Sequence, residues 1–279
     1  MISSGLLKTN TLLQNKDSTI LELRQQIMDM LDLEGIAILP PMDVINSLAL
    51  IRELQIPISC TMFDPWYNKG IGGAIPLLEY DEFISNLLIG AAPFSSHIYL
   101  WGFPEIIGAY VRSAPNGFSM TAWLTWYYKN CPSVIRGWRS SQNSCIHFSK
   151  DAVSKLHPEN FLNDEQLDRY NTGKMRFIPG PSSVIEEPLI IGFVGKNEKT
   201  GHPAQKPEKV FNRLIQMATT ENEIVLDPMA GSGTTAAVAM KIGRKAIVCD
   251  SSPEYIEMIE VRTGRNRLEF RVEDICANL

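Results

Sequence analysis

The chain has 279 residues, 44% hydrophobic and 20% charged, with a net charge of −5. This is globular composition, enough for one large domain or two small ones. No run of 18 apolar residues is present, which argues against a membrane span.

Residues 17–32 carry apolar spacing that predicts a helix, with Asp17 or Ser18 as its cap. Residues 35–41 read as a strand stopped by Pro40 and Pro41, and 42–55 as a helix. A β-rich run, 56–64, ends at Asp64 and is followed by a loop with three glycines, 65–73. Then come a helix at 78–90, a strand at 97–101, a helix at 104–114, and strands at 120–129 and 144–150. Residues 150–207 are rich in Pro, Gly and polar side chains and read as irregular, with one short apolar run at 189–195. A helix at 207–219, a strand at 223–227, a glycine loop, a helix at 234–242, a strand at 245–250 and a helix at 253–263 complete the pattern. Strand–loop–helix alternation predicts an α/β fold, a doubly wound and mainly parallel sheet.

The five cysteines (Cys60, Cys131, Cys145, Cys249, Cys276) form no CxxC pair, and the four histidines form no HxH or HExxH. Neither a metal site nor a disulfide framework is indicated, and a reducing, cytoplasmic setting is expected. The N-terminus shows no signal-peptide pattern. Residues 129–209 are the only net-basic third, so a surface for a phosphate backbone is expected there; a solvated surface without a partner reads equally well.

The clearest chemistry lies in EIVLDPMAGSGTTAAVAMKIGRKAIVCD, 223–250. An apolar strand runs to Asp227, and Gly231 and Gly233 then open a helix whose N-terminus offers free N–H groups. A second strand ends at Asp250, which can accept hydrogen bonds from ribose hydroxyls. A P-loop is rejected because no Lys follows Gly233. A dinucleotide loop survives, because Ala236 is a permitted third position. An adenosyl-binding loop is favoured, since Asp227 can hold a methionine ammonium and would repel a pyrophosphate. A plain tight turn that packs a helix on a sheet also remains open.

The second motif is TMFDPWYN, 61–68. A strand delivers Asp64, Pro65, Trp66 and Tyr67 to its C-terminal end, where open α/β sheets bind ligands. An amino group on a nucleobase is a poor nucleophile, because its lone pair is delocalised into the ring. The Asp64 carboxylate and the Pro65 carbonyl can grip its two hydrogens and draw the nitrogen toward a tetrahedral shape. An aromatic ring can stack on a flipped base. Alone, DPWY reads equally well as an exposed turn.

Together, DPWY, then HPAQKP at 202–207, then DPMAGSGTT at 227–235 resemble the DNA amino-methyltransferases of the N6-adenine and N4-cytosine class. The motif order resembles the permuted, beta-type subgroup. The segments 123–130, 144–150 and 241–262 are also similar to family segments. Three positions depart from the pattern: Trp66 replaces a second proline and is expected to alter the base pocket, Met229 replaces Phe, and Asp250 replaces Glu.

The resemblance implies a seven-stranded Rossmann-like sheet in one methyltransferase domain. Its catalytic half would span 35–150, a target-recognition insertion 151–200 and a cofactor-binding half 201–265. It implies S-adenosyl-L-methionine as cofactor, bound by Asp227, Pro228, Met229, Ala230, Gly231, Ser232, Gly233, Thr234 and Asp250; His202 and Lys206 are expected at the cofactor or a phosphate, or equally as residues that only set the entry into the 207–219 helix. Asp64, Pro65, Trp66 and Tyr67 would act on the base, adenine N6 ahead of cytosine N4. Double-stranded DNA is the expected partner, with Asn68, Lys69, Arg136, Arg139, Lys174 and Arg176 as candidate contacts, a mobile loop at 68–73, no metal, and recognition alone or as a homodimer. A nicotinamide-dependent oxidoreductase and a catalytically dead DNA-binding module remain as alternatives.

Overall fold

The computed structural model describes residues 3–69, 73–131, 137–150 and 154–271, with side chains from residue 19 onward. Helix α1 (Ser3–Glu34) begins well upstream of the expected start, so Asp17 and Ser18 lie inside it and do not cap it. No proline interrupts the preceding residues. Leu23, Ile27 and Leu31 recur every four residues and are buried as one stripe. Gly35, at φ 77°, ends the helix and turns the chain into strand β1 (Ile36–Ile38). Helix α2 (Val44–Glu53) is capped by Asp43, which accepts from the Ile45 N–H at 2.8 Å.

Strand β2 (Ile58–Phe63), helix α3 (Leu77–Ala91) and strand β3 (Ser95–Gly102) follow. The expected helix at 104–114 is a short turn, α4 (Pro104–Ile107), which tightens into a 3-10 turn at Gly108–Arg112. Strands β4 (Phe118–Tyr127) and β5 (Gln142–Lys150) form the next pair. The segment expected to be irregular holds a 3-10 turn at Pro158–Phe161, helix α5 (Asp164–Asn171) and strand β6 (Val184–Glu186). Helix α6 (Glu208–Ala218), strand β7 (Ile224–Asp227), helix α7 (Thr234–Lys241), strand β8 (Lys245–Val248) and helix α8 (Pro253–Thr263) close the described chain.

The strands form one sheet in the order β1-β8-β7-β2-β3-β5-β4-β6. All pairings are parallel except those of β5 with β3 and β4. The described sheet therefore has eight strands where seven were expected; the extra one is β6, which pairs with the edge of β4. Both faces are covered. Ile98 and Leu100 of β3 join the core under α1, α2 and α3, and Tyr99 and Trp101 join the core under α6. A third cluster packs α7 and α8 on β1 and β8 through Ala236, Ala239, Ile256 and Ile259.

Chain progression reverses between β2 and β7, which are neighbours with Cys60 opposite Val225 and Thr61 opposite Leu226. The carboxyl ends of these two strands define a switch point, where such sheets open a ligand crevice. Asp227 ends β7 one residue past the Thr61–Leu226 pair, and Asp64 leaves β2 three residues past it, so both acids stand at the mouth of that crevice. Among the described residues no helix is long and apolar enough to cross a membrane.

Candidate active site

The loop after β7 is shaped by two glycines in the left-handed region, Gly231 at φ 47° and Gly233 at φ 73°. A Cβ at Gly231 would stand 3.0 Å from His202 Nε2, and one at Gly233 would stand 3.0 Å from Ile259 Cγ1. The loop is thus closely wrapped, with Ala230, Ser232 and Thr234 buried and Met229 packed on the main core. Pro228 is buried beside Asp227, in the first turn of the loop.

Asp227 is 3% exposed. Its Oδ1 accepts from the Met229 N–H at 3.1 Å and its Oδ2 from the Thr235 hydroxyl at 2.5 Å. Burial pushes its carboxyl up to about 7, Asp64 and Asp250 add to the rise, and the two hydrogen bonds only partly oppose it. None of the salt bridges found among the described residues involves it. Asp250 closes the far side: its Oδ2 accepts from the Gly231 N–H and its Oδ1 from the Ser252 N–H, both at 2.9 Å.

Three residues of this loop's support, Arg262, Glu208 and Lys241, were not singled out in the sequence. Arg262 Nη1 donates to the Ser232 carbonyl at 2.8 Å and to Thr234 Oγ1 at 3.1 Å, while its Nη2 pairs with Glu208 Oε1 at 3.0 Å. Lys241 holds the other Glu208 oxygen. Burial works to raise the Glu208 carboxyl, and its two cations outweigh it and hold it below the usual range. A basic residue in the last turn of α8 was visible in the sequence, but nothing local says that it reaches back to the loop before α7.

Around Asp64 the side chains converge tightly. The Tyr67 hydroxyl donates to Oδ1 at 2.7 Å, and Lys206 Nζ donates to Oδ2 at 2.5 Å. Burial, then the Asp64 charge, pushes the Tyr67 phenol well up, so it stays a neutral donor. The Lys206 side chain is 5% exposed, and its ammonium lies 5.3 Å from the Tyr67 ring centre and 5.9 Å from that of Trp101. Its carbonyl accepts from the Thr234 hydroxyl at 3.1 Å. Lys206, expected at the cofactor or a phosphate, is thus placed on Asp64. His202 sits over Gly231, with its ring edge on Tyr255 at 4.5 Å, and burial lowers its pKa.

Trp66 does not enter the space beside Asp64. Its ring packs on Tyr80 and Phe83 of α3 at 5.5 and 4.8 Å, and its carbonyl accepts from the Tyr80 hydroxyl at 2.8 Å. The aromatic wall beside Tyr67 comes from Phe103, at 4.8 Å edge to face, a residue the sequence did not mark. Asn68, at φ 49°, donates its amide to the Ile75 carbonyl at 3.0 Å and accepts from the Ile75 N–H at 2.6 Å. Residues 70–72 of the loop expected to be mobile lie outside the described residues. Lys69 pairs with Glu105 at 3.1 Å. Arg139, Lys174 and Arg176 are exposed, and Arg136 lies outside the described residues. No group of three or more metal-ligating side chains is found among the described residues.

The N6_N4_Mtase family model, described as DNA methylase, matches residues 80–261. The chain belongs to the DNA methylase family. That span includes the loop from Asp227 to Asp250 but not Asp64, so the placing of Asp64 in the site rests on its geometry. DNA adenine methyltransferase YhdJ of Escherichia coli (strain K12) is 48% identical over 241 residues, covering 77% of this chain and 80% of that protein. Type II methyltransferase M.HpaI of Haemophilus parainfluenzae is 33% identical over 153 residues, 52% of this chain, and the chain spans 46% of that relative's length. The solved structure of the M1.HpyAVI–SAM complex shares the fold at a TM-score of 0.62 and 19% identity, over 82% of this chain and all (100%) of that one. The nicotinamide reading of the glycine loop falls with the family assignment.

Proposed function

We propose that this chain transfers a methyl group from S-adenosylmethionine to the exocyclic amino group of a DNA base flipped from the duplex, adenine N6 in the first place. The observation that carries the reading is the meeting of Asp64 and Asp227 at the carboxyl ends of adjacent parallel strands. One strand end offers an acceptor for an amine and the other a partner for a cationic cofactor.

The residues present suit that cofactor. Asp227 is a buried carboxylate without a salt bridge among the described residues, and a methionine ammonium supplies the missing cation. Gly231 and Gly233 let the loop pack directly on His202 and Ile259, where a Cβ would stand only 3.0 Å away, and so hold the backbone of the loop beside Asp227 in one shape. Asp250 retains a free lone pair on each oxygen for ribose hydroxyls. When bound, the cofactor supplies an electrophilic methyl group on a sulfonium.

Everything else is the work of the chain. Tyr67 and Lys206 each hold one Asp64 oxygen, and the Tyr67 bond, the weaker of the two, yields its oxygen to an amine hydrogen. The Pro65 carbonyl takes the second hydrogen, so the amine lone pair points at the methyl group. Asp64 would also take up the proton that the amine gives up on methylation. Tyr67 and Phe103 form an aromatic wall for the flipped base. The segment 151–200 is read as the target-recognition part: β6 fastens it to the sheet edge, while Lys174 and Arg176 stay exposed.

The choice of adenine follows the name of the YhdJ relative. Incubation with methyl-labelled S-adenosylmethionine and DNA, then nucleoside mass spectrometry, tests it. N6-methyladenine is expected. Label found only in 4-methylcytosine overturns the base assignment, and no labelled nucleoside overturns the reaction.

A further inference from the structure

We infer that Lys206 is a positioning residue that registers the amine-binding carboxylate against the cofactor loop; this rests on the reading of Asp64 given above. Its two ends do different things. The ammonium holds Asp64 Oδ2 at 2.5 Å, across 142 residues of sequence. The carbonyl of the same residue accepts from Thr234, the first residue of α7, at 3.1 Å. One residue therefore spans the base half and the cofactor half of the crevice.

The segment around Lys206 is itself held in place. Gln205, which is buried, accepts from the Thr200 N–H and hydroxyl at 2.9 Å each, and donates to the Glu198 carbonyl at 2.6 Å. Pro207 on the other side fixes its own φ and starts α6. Lys206 thus approaches Asp64 from an anchored main chain.

Burial decides which bond yields when a base enters. The ammonium lies between two aromatic rings, and Asp64 is the anion that pairs with it among the described residues. Stripping a buried ammonium of its counter-charge is far costlier than releasing a phenol hydrogen bond. Lys206 therefore stays on Oδ2 through the reaction, and Tyr67 gives way on Oδ1. The ammonium fixes the rotation of the carboxylate and so the direction from which the amine is gripped. A buried ammonium engaged in this way is also withdrawn from DNA phosphates.

The test compares Lys206→Ala, Lys206→Met and Asp64→Ala in single-turnover methylation with saturating cofactor and DNA. Lys206→Ala is expected to keep both affinities within about 3-fold and to lose about 100-fold in rate, the usual cost of about 1 Å of misplacement. Ethylammonium is expected to restore part of that rate, and tetramethylammonium at equal ionic strength none, because the second ion fits neither the slot nor the hydrogen bond. Lys206→Met keeps the apolar stem, guards against a folding defect in the alanine variant, and is expected to be equally slow. Wild-type rates in Lys206→Met overturn the inference. So does a DNA-binding salt slope reduced by about one, which would place the ammonium on a phosphate. A normal rate with cofactor affinity more than about 10-fold weaker would make Lys206 a cofactor ligand and also overturn it. If Asp64→Ala is inactive while the Lys206 variants are normal, this inference alone fails. If Asp64→Ala methylates normally, the reading beneath it fails.

Discussion

Asp227→Asn separates what the cofactor loop does for stability from what it does for binding. The wild-type carboxyl stands at about 7 against an ordinary 3.8, because the fold buries it without a cation. A raised acid binds its proton more tightly in the native state, so the native state is favoured at low pH. That advantage is lost as pH rises from about 4 through 7, and the loss levels off above that. At about 1.4 kcal/mol per pH unit the full gap is about 4 kcal/mol. Asparagine removes the ionisation. It still accepts from the Met229 N–H, and its amide can donate to the Thr235 hydroxyl, with neutral bonds weaker by about 1 kcal/mol each. Cofactor-free Asp227→Asn is therefore expected to be about 1–3 kcal/mol more stable than wild type at pH 8, with the gap closing toward pH 4.5. Urea unfolding across that range measures it. Cofactor binding is expected to move the other way, weakening about 10- to 100-fold when a charge-assisted bond to an ammonium is lost. A variant destabilised equally at every pH would refute the reasoning, because the carboxyl would then be a structural acceptor with no buried-charge cost.

Two further outcomes follow from groups away from the reacting atoms. Trp66→Ala removes a ring packed on Tyr80 and Phe83 and is expected to cost about 3 kcal/mol, while Trp66→Phe costs under about 1 kcal/mol; neither changes the methylated base, which nucleoside analysis of the products checks. The buried pair His97 and His147, 3.0 Å apart, must be neutral: burial lowers His97 to about 4 and His147 well below its ordinary value. A histidine lowered in the fold contributes stability that is complete above about pH 6.5 and lost as pH falls toward 4. His97 accounts for about 3 kcal/mol of that loss, read as a falling urea midpoint that His97→Gln/His147→Gln flattens.

What was legible in the sequence was local. Periodicity and the strand-end acids gave β2, β7 and β8, and with them the positions of Asp64, Asp227 and Asp250. The glycine loop was legible because left-handed backbone demands glycine at Gly231 and Gly233. Helix α5 was missed although its capping box, Asn163 with Gln166, was in plain view; it buries no residue, so no apolar stripe announced it. Strand β6 has only three residues, and pairing on an edge leaves no periodicity to read. The direction of Trp66 was illegible for a different reason. DPWY says that an aromatic follows the proline, whereas α3, brought in by the fold, decides which way its ring turns. The pairings of Lys206 with Asp64 and of Arg262 with Glu208 cross 142 and 54 residues of chain, distances over which no motif spacing speaks.

The most direct measurement is single-turnover methyl transfer by Asp64→Ala, with cofactor and DNA affinities determined on the same preparation. With both affinities near wild type, the rate is expected to fall about 100- to 1,000-fold, the usual effect of removing one positioned polar group from a transition state. A variant that binds both ligands and methylates the base at the wild-type rate would contradict the assignment of Asp64 as the acceptor that activates the amine.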